Sequence, residues 1–573
     1  MTRTHQARLR RSVMAATAAL AVTAGVVAAA PDSASAQTTP KLDLIAATNS
    51  LTLDSWKEDP GVYLDLGTYL TAEGGPFELK VTRKSYKDPI VAKQIIHDGD
   101  KTTSKALPAG LVKDFSGLPD FAQISVTDTN RKVVLNRAEK YCPNNAAGRI
   151  DPEGPSKSKY PEGCSPNAFT LGSVWGVEKG WASNTYAGFD SEPVKLAPGK
   201  YTAKVTVNKK YRDLFGISSK PQIIKVTVVE RSWEDEGAGM RNKGAASGHS
   251  GHDMSAMKGM AGHGSMRPKA PAAPTSGAIP SYNVGHGPLI PAPPALPWAL
   301  KKSTLRSAVA PVGDGPGRTD GSRQAPGAEP NAKRPTGKAS VPDVPKPDLR
   351  SLPAYGIQIS DGDQDVKGKD YLAFSANVWN AGPAQLVVDG FRKPGAKLMD
   401  AYQYFYDADG KQIGYTPTGT MEWDPRPGHV HWHFTDFASY RLLKADQQEQ
   451  VRSGKEAFCL ANTDAVDYTV KNANWHPGNT DLSTACGQEN SISVREVLDV
   501  GSGDTYTQDL PGQSFDITNL ANGTYYIQVL ANPENRLKET SLTNNSALRK
   551  VVLGGKPGAR TVKVPAHDLV NSN

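Results

Sequence analysis

The chain has 573 residues, of which 38% are hydrophobic and 22% charged, and its formal net charge is +8. This length exceeds one ordinary hydrophobic core, so two or more domains are predicted. Much of the excess positive charge lies in residues 1–36 and in residues 231–345, the latter with 14 basic and 8 acidic residues. The remaining regions are near neutral, which argues against a folded domain with a basic nucleic-acid-binding face.

Residues 1–36 have the composition of an export signal peptide. Four arginines near the start precede an Ala/Val-rich run, and small residues end at Ala36, where a signal peptidase would cut. Arg10 and Arg11 leave both the general secretory (Sec) and the twin-arginine route open. No later segment is apolar and long enough to predict a membrane span. We therefore expect a secreted, extracellular protein.

Residues 37–230 are predicted to form an N-terminal β domain. Short alternating runs such as "KYTAKVTVN" follow turns such as "APG", and long amphipathic helical patterns are scarce. Residues 346–555 show the same pattern in "TYYIQVLAN" after "ANG". We expect a mainly β protein with two β-sandwich-like domains. Residues 556–573 are predicted to be a C-terminal tail.

The two domains share a similar segment, which indicates a diverged duplication. "LAPGKYTAKVTVNKKYR", from Leu196, matches "LANGTYYIQVLANPENR", from Leu520, at seven offsets. A chance likeness between two tight β-hairpins is the alternative. If the duplication is real, the N-terminal copy is non-catalytic, since it lacks the histidine pattern described below.

Residues 231–345 are predicted to be a long disordered linker. They hold 16 of the 43 prolines and bury too little apolar surface to offset the entropy of ordering. Within them, "GHSGHDMSAMKGMAGHGSM" (residues 248–266) concentrates four methionines and three histidines. Thioether and imidazole ligands suit copper, so this tract is predicted to acquire copper for the protein; an accidental low-complexity tract is the alternative.

The four cysteines form two local pairs, one in each domain. Cys142 and Cys164 lie before the linker, and Cys459 and Cys486 lie after it. In an exported chain, two short-loop disulfides are predicted, each contributing about 3 kcal/mol by restricting the unfolded chain.

The segment "GHVHWHF" (residues 428–434) predicts a metal site. His429, His431 and His433 alternate, so on a strand they share one face while Trp432 and Phe434 pack behind it. Three imidazoles leave open coordination positions, as a catalytic metal needs. The spacing does not choose between zinc and copper.

The wider sequence resembles the lysyl oxidase family over about residues 346–552. "GHVHWHFTDFASYRLL" is similar to the family's copper-binding segment. "GKEAFCL" resembles the segment with the cofactor-forming lysine, which maps to Lys455. "GSGDTYTQDLPGQSFDIT" resembles the segment with the cofactor-forming tyrosine, which maps to Tyr506. "LANGTYYIQVLANPENRLKETSLTNNS", whose "TNN" ends at Asn545, is similar to the family's C-terminal strand pair.

This resemblance implies a copper-dependent amine oxidase. Cu(II) would be bound by the three histidines, and Lys455 and Tyr506 would be joined as lysine tyrosylquinone. The implied reaction converts peptidyl lysine (the protein-lysine 6-oxidase reaction) or another primary amine, with dioxygen, to an aldehyde, ammonia and hydrogen peroxide. The reaction needs a general base near the cofactor. We expect Asp436 in that role, although a turn or capping function is an equal alternative.

The resemblance also implies a Ca(II) site. Its ligands would be Asp348, the carbonyl of Leu349, Glu539, Asn544 and Asn545, and oxygen donors of this kind suit a hard cation. Ser541 stands where the family usually has an aspartate, which departs from the pattern.

Two other classes of function stay open from the sequence. A non-catalytic extracellular copper-binding or adhesion protein would keep the histidines without joining Lys455 to Tyr506. A zinc hydrolase could use the same triplet, but it lacks an obvious glutamate beside the ligands.

Overall fold

The structure is a computed structural model that describes most residues between 40 and 572. The described ranges are 40–57, 61–98, 101–164, 167–186, 191–232, 335–360, 366–393, 395–425, 431–453, 457–476, 486–507 and 514–572. Within them the chain forms 30 strands and one helix, which confirms the predicted mainly β class. No helix in these ranges could span a membrane. The predicted signal peptide lies outside them.

Thirteen strands and the helix precede the linker. The strands are β1 (Lys41–Ala46), β2 (Ser50–Trp56), β3 (Thr68–Glu73), β4 (Phe77–Thr82), β5 (Val91–Asp98), β6 (Lys101–Ala106), β7 (Leu118–Thr127), β8 (Val133–Tyr141), β9 (Ala147–Arg149), β10 (Gly172–Val177), β11 (Trp181–Asn184), β12 (Gly199–Val207) and β13 (Gln222–Arg231). They form three sheets with the orders β1-β3-β11-β9, β10-β4-β5-β6 and β2-β13-β12-β7-β8. Helix α1 (Lys209–Phe215) begins after the capping side chain of Asn208 and ends at Gly216, whose φ of 69° suits glycine.

Seventeen strands follow the linker. They are β14 (Leu349–Ser351), β15 (Tyr355–Ser360), β16 (Tyr371–Asn380), β17 (Leu386–Arg392), β18 (Leu398–Tyr406), β19 (Gln412–Asp424), β20 (His431–Thr435), β21 (Ala438–Lys444), β22 (Glu449–Arg452), β23 (Ala457–Phe458), β24 (Asp464–Ala465), β25 (Ser493–Leu498), β26 (Ser502–Thr507), β27 (Phe515–Asp516), β28 (Gly523–Ala531), β29 (Ser546–Lys556) and β30 (Ala559–Lys563). Their sheets have the orders β14-β16-β26-β24, β23-β20-β19-β18-β17-β25 and β22-β21-β28-β29-β30, and β15 and β27 also pair with β16.

Strand alternation builds the core of this second region. In β28, Tyr525, Ile527 and Val529 are buried, while the residues between them are partly exposed. Trp432 and Phe434 of β20 join the same cluster. Burying each such side chain contributes about 1.5–3 kcal/mol, which explains why this strand register is strongly preferred.

The two hairpins with similar sequences also have similar structures. Strand β12 lies between β7 and β13, and β28 lies between β21 and β29, all antiparallel. In each hairpin a tyrosine hydroxyl donates to a carbonyl four residues earlier, Tyr201 to Ala197 at 2.7 Å and Tyr525 to Ala521 at 2.9 Å. The likeness is consistent with the duplication, which stays a prediction.

Residues just outside the predicted C-terminal domain contact it at both ends, and its predicted boundaries stay a prediction. Residues 233–334 of the linker lie outside the described ranges, but its last residues contact β19, because Ser340 pairs with Tyr415. In the predicted tail, β30 pairs with β29, and the His567 ring packs on Phe169 with centroids 5.7 Å apart. Ser340 thus pairs with a residue far away in sequence, whereas β30 forms a hairpin with the strand directly before it.

Candidate functional site

Two of the three predicted metal ligands lie on the short strand β20. His431 and His433 are each 1% exposed, and their ring centroids are 4.6 Å apart. Trp432 and Phe434, which alternate with them, pack into the core behind. Strand alternation therefore presents the two imidazoles together, as the spacing predicted. His429 lies outside the described residues.

A buried carboxylate lies beside the second imidazole. Asp424, on the neighbouring strand β19, has Oδ2 3.6 Å from Nδ1 of His433. This distance is longer than a hydrogen bond, but a carboxylate on the Nδ1 side electrostatically favours a proton there, which would leave Nε2 as the ligand atom. The donor set fits a transition metal. Among the described residues, no three His, Cys, Asp or Glu side chains form a cluster that could bind a metal. His429 is not one of the described residues and so is not included among these side chains.

The residues that follow Lys455 in the sequence pair with the histidine strand. Lys455 itself lies outside the described residues. Two residues later, β23 begins and pairs with β20, with Phe458 opposite Phe434 and Ala457 opposite Thr435. The residues that follow the lysine segment are therefore adjacent to the strand that carries His431 and His433.

Tyr506 reaches the same place from another sheet. It lies on β26, opposite Ala376 of β16, and is almost completely buried. Its ring packs edge-on against Phe458, with centroids 4.8 Å apart. Its hydroxyl donates to the backbone carbonyl of Cys459 at 2.5 Å. The tyrosine thus contacts the segment that follows Lys455.

Both predicted disulfides are present. Cys142–Cys164 lies in the N-terminal region, and Cys459–Cys486 lies at the site. The carbonyl of Cys486 accepts a hydrogen bond from the Trp432 amide at 3.0 Å. The disulfide therefore joins Cys459, whose carbonyl accepts the hydrogen bond from Tyr506, to Cys486, whose carbonyl accepts one from the histidine strand.

The predicted base, Asp436, lies in the turn after β20. Its backbone φ is 62°, and its carboxylate is 2.7 Å from Nη1 of Arg536, with 26% of the side chain exposed. This geometry suits the turn function at least as well as the catalytic one.

Two buried carboxyl groups near the site were missed from the sequence. Asp504 is buried and, two residues before Tyr506 on β26, shares its face of the strand. Glu496 of β25 is fully buried and accepts a hydrogen bond from the Leu460 amide at 3.0 Å. Burial raises the pKa of Glu496 well above its ordinary value, against backbone hydrogen bonds from Leu460 and Phe434. The period-2 pattern of β26 could have pointed to Asp504; no local pattern pointed to Glu496.

The structure brings the five predicted calcium-site residues together. The Leu349 amide donates to Glu539 at 2.8 Å, and the Asn545 amide donates to the same carboxylate at 2.8 Å. The Asn544 amide is 3.2 Å from both oxygens of Asp348. Burial, with a smaller effect of Asp348, raises the pKa of Glu539.

Two features of this group bear on a cation. The buried Oδ1 atoms of Asn544 and Asn545 have no hydrogen-bond donor among the described residues, as expected of oxygens that would bind a cation. Arg350, however, places Nη2 2.7 Å from Asp348, so one carboxylate already has a cationic partner. The oxygen donors fit calcium, with Arg350 as a competitor.

Comparison with known proteins covers the C-terminal region. Residues 408–561 match the lysyl oxidase family model, a range that includes the three histidines, Lys455 and Tyr506 but not Asp348 or Leu349. Protein-lysine 6-oxidase of Homo sapiens is 34% identical over 125 residues, which are 22% of this chain and 26% of that protein. Protein-lysine 6-oxidase of Sus scrofa is 33% identical over 125 residues, 22% of this chain and 44% of that protein.

Lysyl oxidase homolog 3B of Danio rerio is 30% identical over 129 residues, 22% of this chain and 14% of that protein. The chain therefore spans less than half the length of these curated relatives. The resemblance predicted from the sequence is confirmed for the C-terminal region.

Proposed function

We propose that the protein is a secreted copper-dependent amine oxidase of lysyl oxidase type, because residues 408–561 match the lysyl oxidase family model. One observation supports it most: the Tyr506 hydroxyl donates to the Cys459 carbonyl, on a segment paired with the histidine strand. Three elements meet there: β20 with His431 and His433, β26 with Tyr506, and β23, which begins two residues after Lys455.

Copper would be bound by His429, His431 and His433. Imidazole suits copper, and the Asp424 carboxylate beside His433 would keep that ring in the ligating tautomer. The three histidines alone would suit zinc equally well. Copper is favoured because Lys455 and Tyr506 match the residues that form the cofactor of the copper-dependent lysyl oxidase family. When bound, Cu(II) and the lysine tyrosylquinone made from Lys455 and Tyr506 supply the two-electron oxidation of an amine.

The proposed reaction consumes a primary amine, dioxygen and water and yields an aldehyde, ammonia and hydrogen peroxide. Peptidyl lysine or a smaller primary amine is the substrate. The buried surroundings of Tyr506 exclude bulk water from its ring. A carboxylate must take the proton from the carbon next to the amine, and Asp436 and Asp504 are the two candidates.

A structural calcium ion is the second proposed metal. The buried amide oxygens of Asn544 and Asn545 support it, together with the carboxylates of Asp348 and Glu539. The ion would join the start of the C-terminal region to the connection before β29, and its role would be to stabilise the fold.

Export and copper supply are proposed from the sequence. The basic, Ala/Val-rich leader at residues 1–36 supports secretion, and the His/Met-rich tract at residues 248–266 supports copper acquisition. Both segments lie outside the described residues.

The main alternative is a non-catalytic extracellular copper-binding or adhesion protein. It would bind copper through the same histidines, but Lys455 and Tyr506 would stay separate residues. A zinc hydrolase would likewise leave them unlinked.

A peptide map distinguishes these functions. The protein is expressed without copper, loaded with Cu(II) in air, and digested to find a peptide that links Lys455 to Tyr506. We expect the linked peptide, a visible quinone absorption band and hydrogen peroxide on addition of amines. Tyr506→Phe should abolish all three, whereas Tyr440→Phe, which alters another buried tyrosine of the same core, should keep them. Unlinked residues and no peroxide from the copper-loaded protein would refute the oxidase.

A further inference from the structure

A loop of the N-terminal region packs into the C-terminal region close to Tyr506. The loop, residues 167–172, lies directly before and at the start of β10. Its aromatic residue, Phe169, is fully buried in a cluster with Trp379 and Val466, which both lie after the linker. We call residues 167–172 the docking loop.

The backbone of the docking loop is also paired with the C-terminal region. The Leu171 amide donates to the carbonyl of Val466 at 2.7 Å, and the Tyr468 amide donates to the carbonyl of Gly172 at 2.9 Å. A Cβ atom on Gly172 would collide with the side chains of Asp467 and Thr469, so a larger residue would require those side chains to move. The contact is a short β-bridge between the two regions rather than loose surface packing.

At the tip of the docking loop, Asn167 donates to a buried carboxylate. Its Nδ2 is 2.7 Å from Oδ2 of Asp464, across 297 positions of the sequence. The same oxygen accepts hydrogen bonds from Asn377 at 3.0 Å and from Thr505 at 2.9 Å. Burial raises the pKa of Asp464, and the hydrogen bonds from its neighbours oppose that rise. Each donor therefore favours the charged form.

This carboxylate holds the strand that carries the cofactor tyrosine. Asp464 begins β24, which pairs with β26, and Thr505 is the residue before Tyr506. Asn167 also donates to the Tyr355 hydroxyl at 2.8 Å, and that hydroxyl lies 3.1 Å from Oγ1 of Thr505. Asn167 thus reaches Thr505 by two routes, through Asp464 and through Tyr355.

We propose that Asn167 is a positioning residue for Tyr506, so that the N-terminal region completes the site instead of forming a separate module. The Asn167 amide donates a hydrogen bond to the Asp464 carboxylate, and this carboxylate accepts another from the Thr505 hydroxyl. Because Thr505 directly precedes Tyr506 on β26, these hydrogen bonds hold Tyr506 in position. The inference rests on the proposed function only for the catalytic meaning of Tyr506. The placement of β26 is a property of the copper-free protein.

Amide hydrogen exchange in the full-length, copper-free protein tests this placement. We expect Asn167→Ala to accelerate exchange about tenfold in peptides covering 502–507, because a hydrogen bond to a charged, buried group is lost. Asn130→Ala alters an exposed asparagine in the β7–β8 turn and should leave that exchange unchanged. After copper is added, Asn167→Ala should slow formation of the Lys455–Tyr506 crosslink by a similar factor, with copper affinity unchanged.

A pH comparison of Asn167→Asp gives a second readout. The new carboxylate would face Asp464, with the Tyr355 hydroxyl as the other titratable neighbour; burial raises the pKa of Tyr355 well above its ordinary value, so it stays neutral. One of the two carboxyl groups must keep a proton, which raises their shared pKa. Such a pair stabilises the fold at low pH and loses this effect as pH rises. The variant should match the unmodified protein near about pH 5 and resemble Asn167→Ala near about pH 8.

Two results would overturn the inference. In one, exchange in 502–507 is the same in Asn167→Ala and Asn130→Ala. In the other, Asn167→Ala accelerates exchange equally in β28, which would indicate only a general loss of stability. If exchange responds as expected but the unmodified protein never forms the crosslink, the oxidase proposal fails and the role of Asn167 in holding β26 stands.

Discussion

Two carboxylates, Asp436 and Asp504, satisfy different requirements for the catalytic base. Asp436 lies just past the histidine strand, but its side chain pairs with Arg536 in a turn with a positive φ. Asp504 is buried on the same face of β26 as Tyr506. A base must reach the substrate carbon held at the cofactor, so closeness to Tyr506 counts for more than closeness to the histidines.

Substitution of the two carboxylates separates these roles. We expect Asp504→Asn to lower kcat by about 10²–10⁴-fold, the usual loss when a general base is removed. Asp436→Asn should lower kcat less than about tenfold, since a partly exposed ion pair contributes up to about 1 kcal/mol. Single-turnover rates with a small primary amine measure both, with copper content and crosslink yield as controls. The opposite order of losses would identify Asp436 as the base.

At the scale of elements, the site is a frame of three strands and a disulfide. Strand β20 carries two histidines, β23 follows the lysine segment, and β26 carries the tyrosine. Cys459 and Cys486 join the frame through backbone carbonyls that accept from Tyr506 and Trp432. The other disulfide, Cys142–Cys164, closes a loop of similar length in the N-terminal region, with sequence separations of 22 and 27 residues.

The two disulfides form a matched pair for an experiment. Replacing either pair by serines should lower the free energy of unfolding by about 3.5 kcal/mol, since the loops are of similar length. Only Cys459→Ser with Cys486→Ser should also weaken copper binding, by about tenfold, because that pair holds the histidine strand. Denaturant unfolding and copper titration measure the two effects. Equal copper affinity in both double variants would contradict the role of Cys459–Cys486 at the metal.

At the scale of the whole molecule, distant segments close the fold. The group of Asp348, Glu539 and the two asparagines joins the start of the C-terminal region to residues nearly 200 positions later. The docking loop joins the N-terminal region to β24 in the same way. The described residues from 40 to 572 accordingly belong to one compact unit, and the two predicted β domains share buried contacts.

Removal of calcium tests whether an ion helps to hold the group of Asp348, Glu539 and the two asparagines together. Burial raises the pKa of Glu539, so without calcium its contribution to stability is present at low pH and lost as pH rises through that raised pKa. Calcium binds the charged carboxylate, so its stabilising effect should grow as pH rises. At a free calcium concentration 100 times the dissociation constant, calcium binding would increase the free energy of unfolding by about 2.7 kcal/mol.

The measurement is Tm with calcium and with a chelator, over a range of pH. Glu539→Gln should remove the calcium effect, while Glu534→Gln, an exposed glutamate in the same connection, should keep it. If the chelator leaves Tm unchanged in the unmodified protein at every pH, the group is held by its hydrogen bonds and Arg350 without an ion.

The sequence by itself determined the features that depend on short windows of chain. Alternation of side chains along a strand put His431 and His433 on one face with Trp432 behind, and the structure agrees. Local cysteine pairs and alternating runs predicted both disulfides and the mainly β class, because loop closure and strand period are local properties.

Only the tertiary structure decided which distant groups meet. The hydrogen bond from Tyr506 to Cys459, the pairing of Asp436 with Arg536 and the contact of Asn167 with Asp464 join residues on different sheets or turns. The contacts of Ser340 with Tyr415 and of His567 with Phe169 likewise join residues far apart in sequence. Burial and long-range hydrogen bonds depend on which surfaces the fold brings together, and no local window contains that information.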